Sequence, residues 1–378
     1  MINFTTLNNE FLLANDLIYL NHAGTSPWPK RTAEIVQCFA NENIHQGGKN
    51  YAQWEQQENH LREQLCDLLN APNTDDIALL KNTSEAISVV AYGLLWQVGE
   101  NVVISDQEFP SNRIAWESLQ NQGVELRKAD FSQAQTPEAA LFDLVDEKTR
   151  VIAISAVQYA SGLRMDLNKI GDFCQQHQIL FCIDAIQALG AVQFDVQANQ
   201  ADFVMADGHK WMLAPEGVAV FYSKPAAREK LELKQYGWHM TEYPYDFDAP
   251  TWQIASTARR FECGSPNMLG IHAFSASLSL FAEVGMSAVE AQVLDNTRYL
   301  LETLTRSSAI EILSPQTADR YAGIVTFRHR EKDSSSLFET LKQQGVICSL
   351  RGGGIRFSPH FYTLREKLER AVELILNK

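Results

Sequence analysis

The chain has 378 residues, enough for one large and one smaller domain. With 45% hydrophobic and 21% charged residues it has the make-up of an ordinary soluble globular protein. A formal net charge of -14 argues against a nucleic-acid surface, which needs clustered Lys and Arg, and leaves room for a local basic pocket.

In chain order, Met1 to Asp16 read as a loose arm with a short helix. No Lys or Arg precedes Lys30, so the basic region of a signal peptide is not expected. Ile18 to Leu20 is a short strand that runs into a polar turn, Asn21 to Pro27. Pro29 suits a first helical turn, and helices are expected over Lys30 to Asn43 and Trp54 to Leu69. A strand-helix alternation follows. Strands are expected at Ile77 to Leu80, Asn101 to Ser105, Arg150 to Ser155 and Leu180 to Ile183. These are near-continuous apolar runs, as strands buried on both faces should be. Asn82-Thr83-Ser84 reads as a helix N-cap with Glu85 in the first turn. The apolar stretch Ala86 to Trp96 is too short and too mixed to span a bilayer. Phe203 to Ala206 and Val218 to Tyr222 read as two strands flanking a Gly/Pro turn that carries His209 and Lys210.

The alternation predicts an α/β fold, a large domain over 17–284 with a mostly parallel sheet. A change of composition near Gly285 marks a small C-terminal α+β domain, 285–378. It reads as a helix, two strands, a helix, two more strands (Val346 to Leu350 and Ile355 to Ser358) and a final helix. Gly352-Gly353-Gly354 lacks the Lys-Ser/Thr tail and the helix of a phosphate loop, and reads as a tight hairpin. Six cysteines lie far apart without a Cys-x-x-Cys pair. Neither a metal site nor a dithiol redox site is expected, and free thiols in the cytoplasm are.

Each polar cluster follows a strand, and in a parallel sheet such ends gather on one edge, where ligands bind. A lysine held between buried strands is partly desolvated, which favours its neutral amine, and a neutral amine can form a Schiff base with an aldehyde. The same residues also suit a surface lysine at a hairpin tip. Thr83 and Ser84 at a helix N-terminus suit a phosphate, or are a plain N-cap. Phe109 can stack on a flat ring or pack in the core. Asp184 ends a buried strand and needs a cationic partner, which a protonated pyridine nitrogen would supply, unless it only caps the next helix. Gln187 lies one turn on, within reach of a ring oxygen. Arg351 and Arg356 can grip a carboxylate or form surface ion pairs. Taken together, the set describes pyridoxal 5'-phosphate and an amino-acid substrate.

Over nearly its whole length the chain resembles the class V aminotransferases among the fold-type I pyridoxal-phosphate enzymes. This group includes cysteine desulfurases, kynureninase and isopenicillin-N-epimerase-like proteins. The residues that carry the likeness are Tyr19-Leu-Asn-His-Ala-Gly-Thr-Ser-Pro27, Asn82-Thr-Ser-Glu85, Glu108-Phe-Pro-Ser-Asn112, Asp184-x-x-Gln187, Gly208-His-Lys210, Arg260-Phe-Glu-x-Gly-Ser-Pro266 and Arg356-Phe-Ser-Pro-His-Phe-Tyr362. The resemblance implies that Lys210 is the Schiff-base lysine and that Asp184 keeps the ring nitrogen protonated. It implies Gln187 at the ring hydroxyl, Phe109 on the ring face, and Thr83, Ser84 and His209 at the phosphate. Ser265 would reach the phosphate of a neighbouring subunit in a homodimer, and Arg356 would bind the substrate carboxylate.

Departures narrow the reaction. Cysteine desulfurases usually have histidine where this chain has Phe109, and they carry a nucleophilic cysteine on a loop for which Arg351-Gly-Gly-Gly-Ile-Arg356 leaves no room. Kynureninases tend to have histidine at the place of Gln187. The family often has Ser or Thr where this chain has Asp207, whose charge would repel a phosphate. Amino-group transfer is the first expectation. C–S lyase or desulfurase-like β-elimination without a catalytic cysteine, and epimerisation, are the alternatives. An inactive scaffold that keeps the fold is the non-enzyme alternative. His22 and Ala23 are expected beside the substrate, with Tyr51, Trp238, His239 and Trp252 as candidates for the pocket wall. No membrane or nucleic-acid partner is expected.

Overall fold

The architecture is that of a computed structural model, which describes residue 7 and residues 9–132 and 134–376. Seven strands form the main sheet, in the order Ile77–Leu80, Ala219–Ser223, Phe203–Asp207, Leu180–Asp184, Thr149–Ser155, Asn101–Ser105, Glu125–Ala129. Only Ala219–Ser223 runs against the rest. The expected mostly parallel α/β sheet is present. The edge strand Glu125–Ala129 escapes a search for apolar runs because it is half exposed and charged. Charge on an edge strand also discourages pairing with other chains.

The four central strands are buried along nearly their whole length, and their side chains alternate between two cores. Ile152, Ile154, Phe181, Ile183 and Val204 pack with helices Tyr51–Leu69, Leu167–His177 and Met268–Val284. Val151, Ala153, Cys182, Phe203 and Met205 pack with helix Thr83–Gly93. Each large apolar side chain fully buried in this way contributes about 1.5–3 kcal/mol. Helices on both faces leave only the strand ends open to solvent, and that is where the polar residues following the strands collect.

The second sheet has four antiparallel strands, in the order Ser349–Arg351, Gly354–Phe357, Val325–His329, Ile310–Ile312. Helices Met286–Thr305, Ser334–Gln343 and Arg365–Leu376 accompany it. Arg351 pairs with Gly354, leaving a two-residue turn in which Gly352 and Gly353 have φ of 58° and 80°. Positive φ at both central positions is the tight hairpin geometry that glycine supplies without strain.

Two expectations need correction. The strand expected over Val346 to Leu350 is split at Cys348. Val346–Ile347 pairs in parallel with Ile18–Tyr19, and Ser349–Arg351 pairs with the following strand. Ile18 and Leu20 therefore share a core with Leu300, Phe357 and Ile375, and this N-terminal strand packs with the C-terminal unit rather than with the large domain expected from residue 17. The expected arm over Met1 to Asp16 falls partly outside the described residues. Its described part is packed: Phe11 stacks on Tyr362 and Glu10 pairs with Arg31. All six cysteines are free thiols. Among the described residues no single helix is long and apolar enough to cross a membrane.

Candidate active site

At the carboxyl ends of the parallel strands lies a cavity of about 350 Å³. Lys210, Asp184, Gln187, Thr83, Ser84, Phe109, His209, Arg351, Arg356 and Ala23 all line it, together with Asn82, Ser111, Tyr159 and Asp207. Larger cavities of about 650 Å³ and 750 Å³ lie elsewhere. In the first, Arg164 and Arg320 are already paired with Glu290 and Glu138. The second is walled by the aromatic segment around Trp238 and Trp252. Only the smallest of the three combines unpaired cations, carboxylates and a helix N-terminus.

Lys210 follows the strand Phe203–Asp207 through a turn that requires glycine. A Cβ on Gly208 would lie 2.9 Å from Ala214 and 3.1 Å from Phe274. The turn is strapped by Ser26, whose N–H donates to the His209 carbonyl (2.9 Å) and whose hydroxyl donates to the Lys210 carbonyl (2.5 Å). The Lys210 side chain is only 9% exposed. Burial pulls its amine down to about 8, against the attraction of Asp184 and helped by the charge of Arg356. Its Nζ lies 5.5 Å from the centre of the Phe109 ring, which itself stands edge-on to Tyr159.

Asp184 ends its strand, and its Oδ1 accepts the N–H of Ile186 (3.0 Å). Burial pushes this carboxyl up to about 7, and the charge of Glu108 adds to the effect. Among the described residues it forms no ion pair, so it faces the cavity without a contacting cation. Gln187 is positioned on both sides: Nε2 donates to the Ala23 carbonyl (3.0 Å) and Oε1 accepts from Trp211 (2.8 Å). One amide hydrogen remains to face the cavity.

The N-terminus of helix Thr83–Gly93 opens into the cavity. Asn82 caps it by accepting the Glu85 N–H (2.9 Å), and Glu85 returns a bond to the Lys81 N–H (2.6 Å). The Ser84 hydroxyl lies 2.8 Å from that of Ser111, and Thr83 Oγ1 accepts the Asp207 N–H (3.0 Å). Asp207 Oδ1 is 3.0 Å from His209 Nδ1 without the alignment of a hydrogen bond. The Asp207 carboxylate also favours the charged form of Lys210.

Arg356 is 2% exposed. Its Nη1 donates to the Tyr159 carbonyl (2.7 Å), and its buried Nε has no hydrogen-bond partner. Burial, and then the charge of Arg351, pull it down to about 10. Arg351 stands exposed on the hairpin turn.

Other expected residues lie elsewhere. His22 is fully buried and does not line the cavity. Its Nδ1 is 2.8 Å from the Ser358 carbonyl and its Nε2 is 2.6 Å from the Tyr362 hydroxyl, so it ties the N-terminal turn to the C-terminal unit. Burial holds it down at about 4, so it stays neutral near pH 7. Tyr51 packs on Trp54. Trp238 and Trp252 wall the separate aromatic cavity. His239 lies in a buried cluster with Glu58 and Glu262. There the Arg62 guanidinium bonds both carboxylates and supplies them with a cationic partner. Ser265 is exposed and outside the cavity.

Glu108 is the main contributor that residue-type reasoning passes over. Its buried carboxylate accepts from the Ser155 N–H (3.0 Å), the Ser155 hydroxyl (2.5 Å), Gln158 (2.8 Å) and Asn112 (2.9 Å). It thereby fixes the turn carrying Phe109 and the turn carrying Tyr159. The signal was its place in Glu108-Phe-Pro-Ser-Asn112 directly after a strand. Glu108→Gln points an amide N–H at these donors, so chemical denaturation should show a loss of about 2 kcal/mol.

A lysine and a carboxylate at the ends of neighbouring parallel strands, facing a helix N-terminus, define the fold-type I pyridoxal-phosphate-dependent transferase class. The family described as aminotransferase class-V matches residues 18–367, and the chain belongs to it. A probable cysteine desulfurase of Methanothermobacter thermautotrophicus is 28% identical over 96% of this chain and 95% of its own length. The apo cysteine desulfurase of Thermococcus onnurineus superposes with a TM-score of 0.88 at 21% identity, covering 99% of this chain and 98% of its own. The cystine C–S lyase C-DES, solved with its product cysteine persulfide, superposes with a TM-score of 0.88 at 20% identity, covering 98% and 99%.

Proposed function

We propose that the cavity binds pyridoxal 5'-phosphate through Lys210 and that the chain transfers the amino group of an α-amino acid. The observation that carries this reading is a buried Lys210 amine and a buried Asp184 carboxyl lining one cavity from neighbouring parallel strands, with no contacting cation on Asp184 among the described residues. A pyridine nitrogen would give Asp184 the partner its burial demands, so the residues fit the group. When bound, the cofactor supplies an electrophilic aldehyde carbon and a ring that accepts the electron pair released at the substrate Cα.

The protein's part follows from its own groups. Asp184 holds a proton on the ring nitrogen. Thr83, Ser84 and His209, with the free N–H groups of the helix start, bind the phosphate. Phe109 covers the ring face, and the spare amide hydrogen of Gln187 is donated to the ring oxygen. The Lys210 amine, made less basic by burial, takes and returns the proton at the substrate Cα. Arg356 holds the substrate carboxylate through two parallel hydrogen bonds. A cytoplasmic homodimer in which Ser265 reaches the neighbouring phosphate belongs to the same reading. The supporting observation for Arg356 is a buried guanidinium with no carboxylate partner among the described residues. Its replacement is therefore expected to separate binding from folding. Arg356→Met should weaken amino-acid binding at least about thirtyfold, while thermal unfolding shows no loss of stability.

C–S cleavage of a cysteine- or cystine-like substrate is the second reading, supported by the likeness to C-DES and to probable cysteine desulfurases. It would proceed without an enzyme thiol. None of the six cysteines lines the cavity, and burial raises the two nearest to it in sequence, Cys182 well above the usual thiol range and Cys348 up to about 12. Single-turnover product analysis separates the two. A 2-oxo acid formed one-for-one with enzyme, without ammonia, supports transfer. Pyruvate and ammonia, with sulfide from a cysteine-like substrate or persulfide from a cystine-like one, would replace it with C–S cleavage.

A further inference from the structure

One cation of the cavity is left without an anion assigned to it. Arg356, at its floor, is matched to the substrate α-carboxylate, and His209 and the helix start to the phosphate. Arg351 is left over. It lines the same cavity from the hairpin turn, and among the described residues it has no acidic partner. Its guanidinium bonds only the carbonyl of its neighbour Leu350 (2.7 Å). The Gly352-Gly353 turn, with both residues at positive φ, and the pairing of Arg351 with Gly354 set this side chain at the mouth. It stands near enough to disfavour the charged forms of both Arg356 and Lys210. Asp184 and Asp207 also line the cavity, but neither forms an ion pair with Arg351, and like charges in one cavity repel unless an anion joins them. In a chain of net charge -14, an unneutralised arginine at a ligand cavity favours capture of an anion over repulsion by the surface.

We propose that Arg351 recognises an anionic group on the substrate side chain, and that the preferred substrates are acidic amino acids of aspartate to glutamate length. This rests on the reading of the cavity as a cofactor and amino-acid site. The short reach follows from the two guanidiniums standing on one hairpin and lining one cavity of about 350 Å³, which the cofactor must share. A distal carboxylate matches the planar fork of Arg351 with two hydrogen bonds, whereas an amide of the same shape offers one acceptor and brings its own N–H groups against the guanidinium.

The test uses full-length protein loaded with pyridoxal 5'-phosphate. The visible spectrum of the bound cofactor is titrated with aspartate, asparagine, glutamate, glutamine and cysteine sulfinate. In the wild type, aspartate or glutamate should half-saturate at a concentration at least about tenfold below its amide. Cysteine sulfinate in place of the carboxylates as the tightest ligand would also support the proposal and would name the oxyanion. Arg351→Gln should collapse the acid-to-amide ratio to near one, and Arg351→Lys should restore part of it, because the charge returns without the fork. Equal response to acid and amide in the wild type, or a ratio unchanged in Arg351→Gln, overturns the substrate assignment alone. A chain that takes up cofactor but answers to no amino acid, or that takes up none, overturns the parent reading and this one with it.

Discussion

Lys210→Ala should abolish covalent retention of the cofactor. Purified wild-type protein loaded with pyridoxal 5'-phosphate is expected to be yellow and to keep its label through borohydride reduction and denaturation, as intact mass would show. The alanine variant should carry no label. Turnover should fall by at least about ten-thousandfold, since in the proposed reading one side chain is both the attachment point and the proton carrier at the substrate Cα. The fold should survive. The lysine is desolvated in its turn, and the turn is held by main-chain atoms through Ser26 and by close packing at Gly208, none of which needs the amine. A variant that retains the borohydride-fixed label would place the attachment on another lysine and end the assignment.

Asp184→Asn should reduce turnover by about a thousandfold at saturating substrate, because a neutral amide cannot hold the proton on the ring nitrogen. It has a second signature that does not depend on activity. In the cofactor-free protein the Asp184 carboxyl is raised from its ordinary 3.8 to about 7. The native state then binds more protons than the unfolded state across that window. Stability from this group is present at low pH and lost as pH rises from about 4 to about 7. Lys210, lowered from 10.5 to about 8, acts in the opposite direction above neutrality. The unfolded chain holds its proton longer, so stability rises with pH between about 8 and 10.5. Denaturant titrations of the apo protein should show the acid-side slope in the wild type and a flatter profile in Asp184→Asn. Identical profiles would mean that the carboxyl is not desolvated. Because Asp184 opposes the depression of Lys210, its loss should also move the alkaline window to lower pH.

The strand ends and the cavity explain each other. Five of the parallel strands deliver a cluster to one edge: Thr83-Ser84, Phe109, Tyr159, Asp184 and His209-Lys210. The C-terminal unit adds Arg351 and Arg356 from one hairpin, and two of its contacts with the large domain lie beside them. Arg356 bonds the Tyr159 carbonyl, and Thr326 donates to the Ala160 carbonyl (2.6 Å).

What the sequence determined by itself was the local part. Apolar runs bounded by Gly, Pro and Asn marked the buried strands, and the residues just after them had to gather on one edge of a parallel sheet. That logic alone reaches Lys210, Asp184, Thr83, Ser84, Phe109, Gln187 and His209, all of which line the cavity. The tertiary structure alone decided the long-range part. His22 was drawn away from the cavity by Ser358 and Tyr362, more than three hundred residues along the chain. Ile18–Tyr19 joined the C-terminal unit through a parallel pairing with Val346–Ile347. Trp238 and Trp252 went to a cavity of their own, and Glu108 became the keystone of two turns. These outcomes depend on which distant partner satisfies a buried polar group or completes an apolar face. Such a choice leaves no periodicity in the residues on either side.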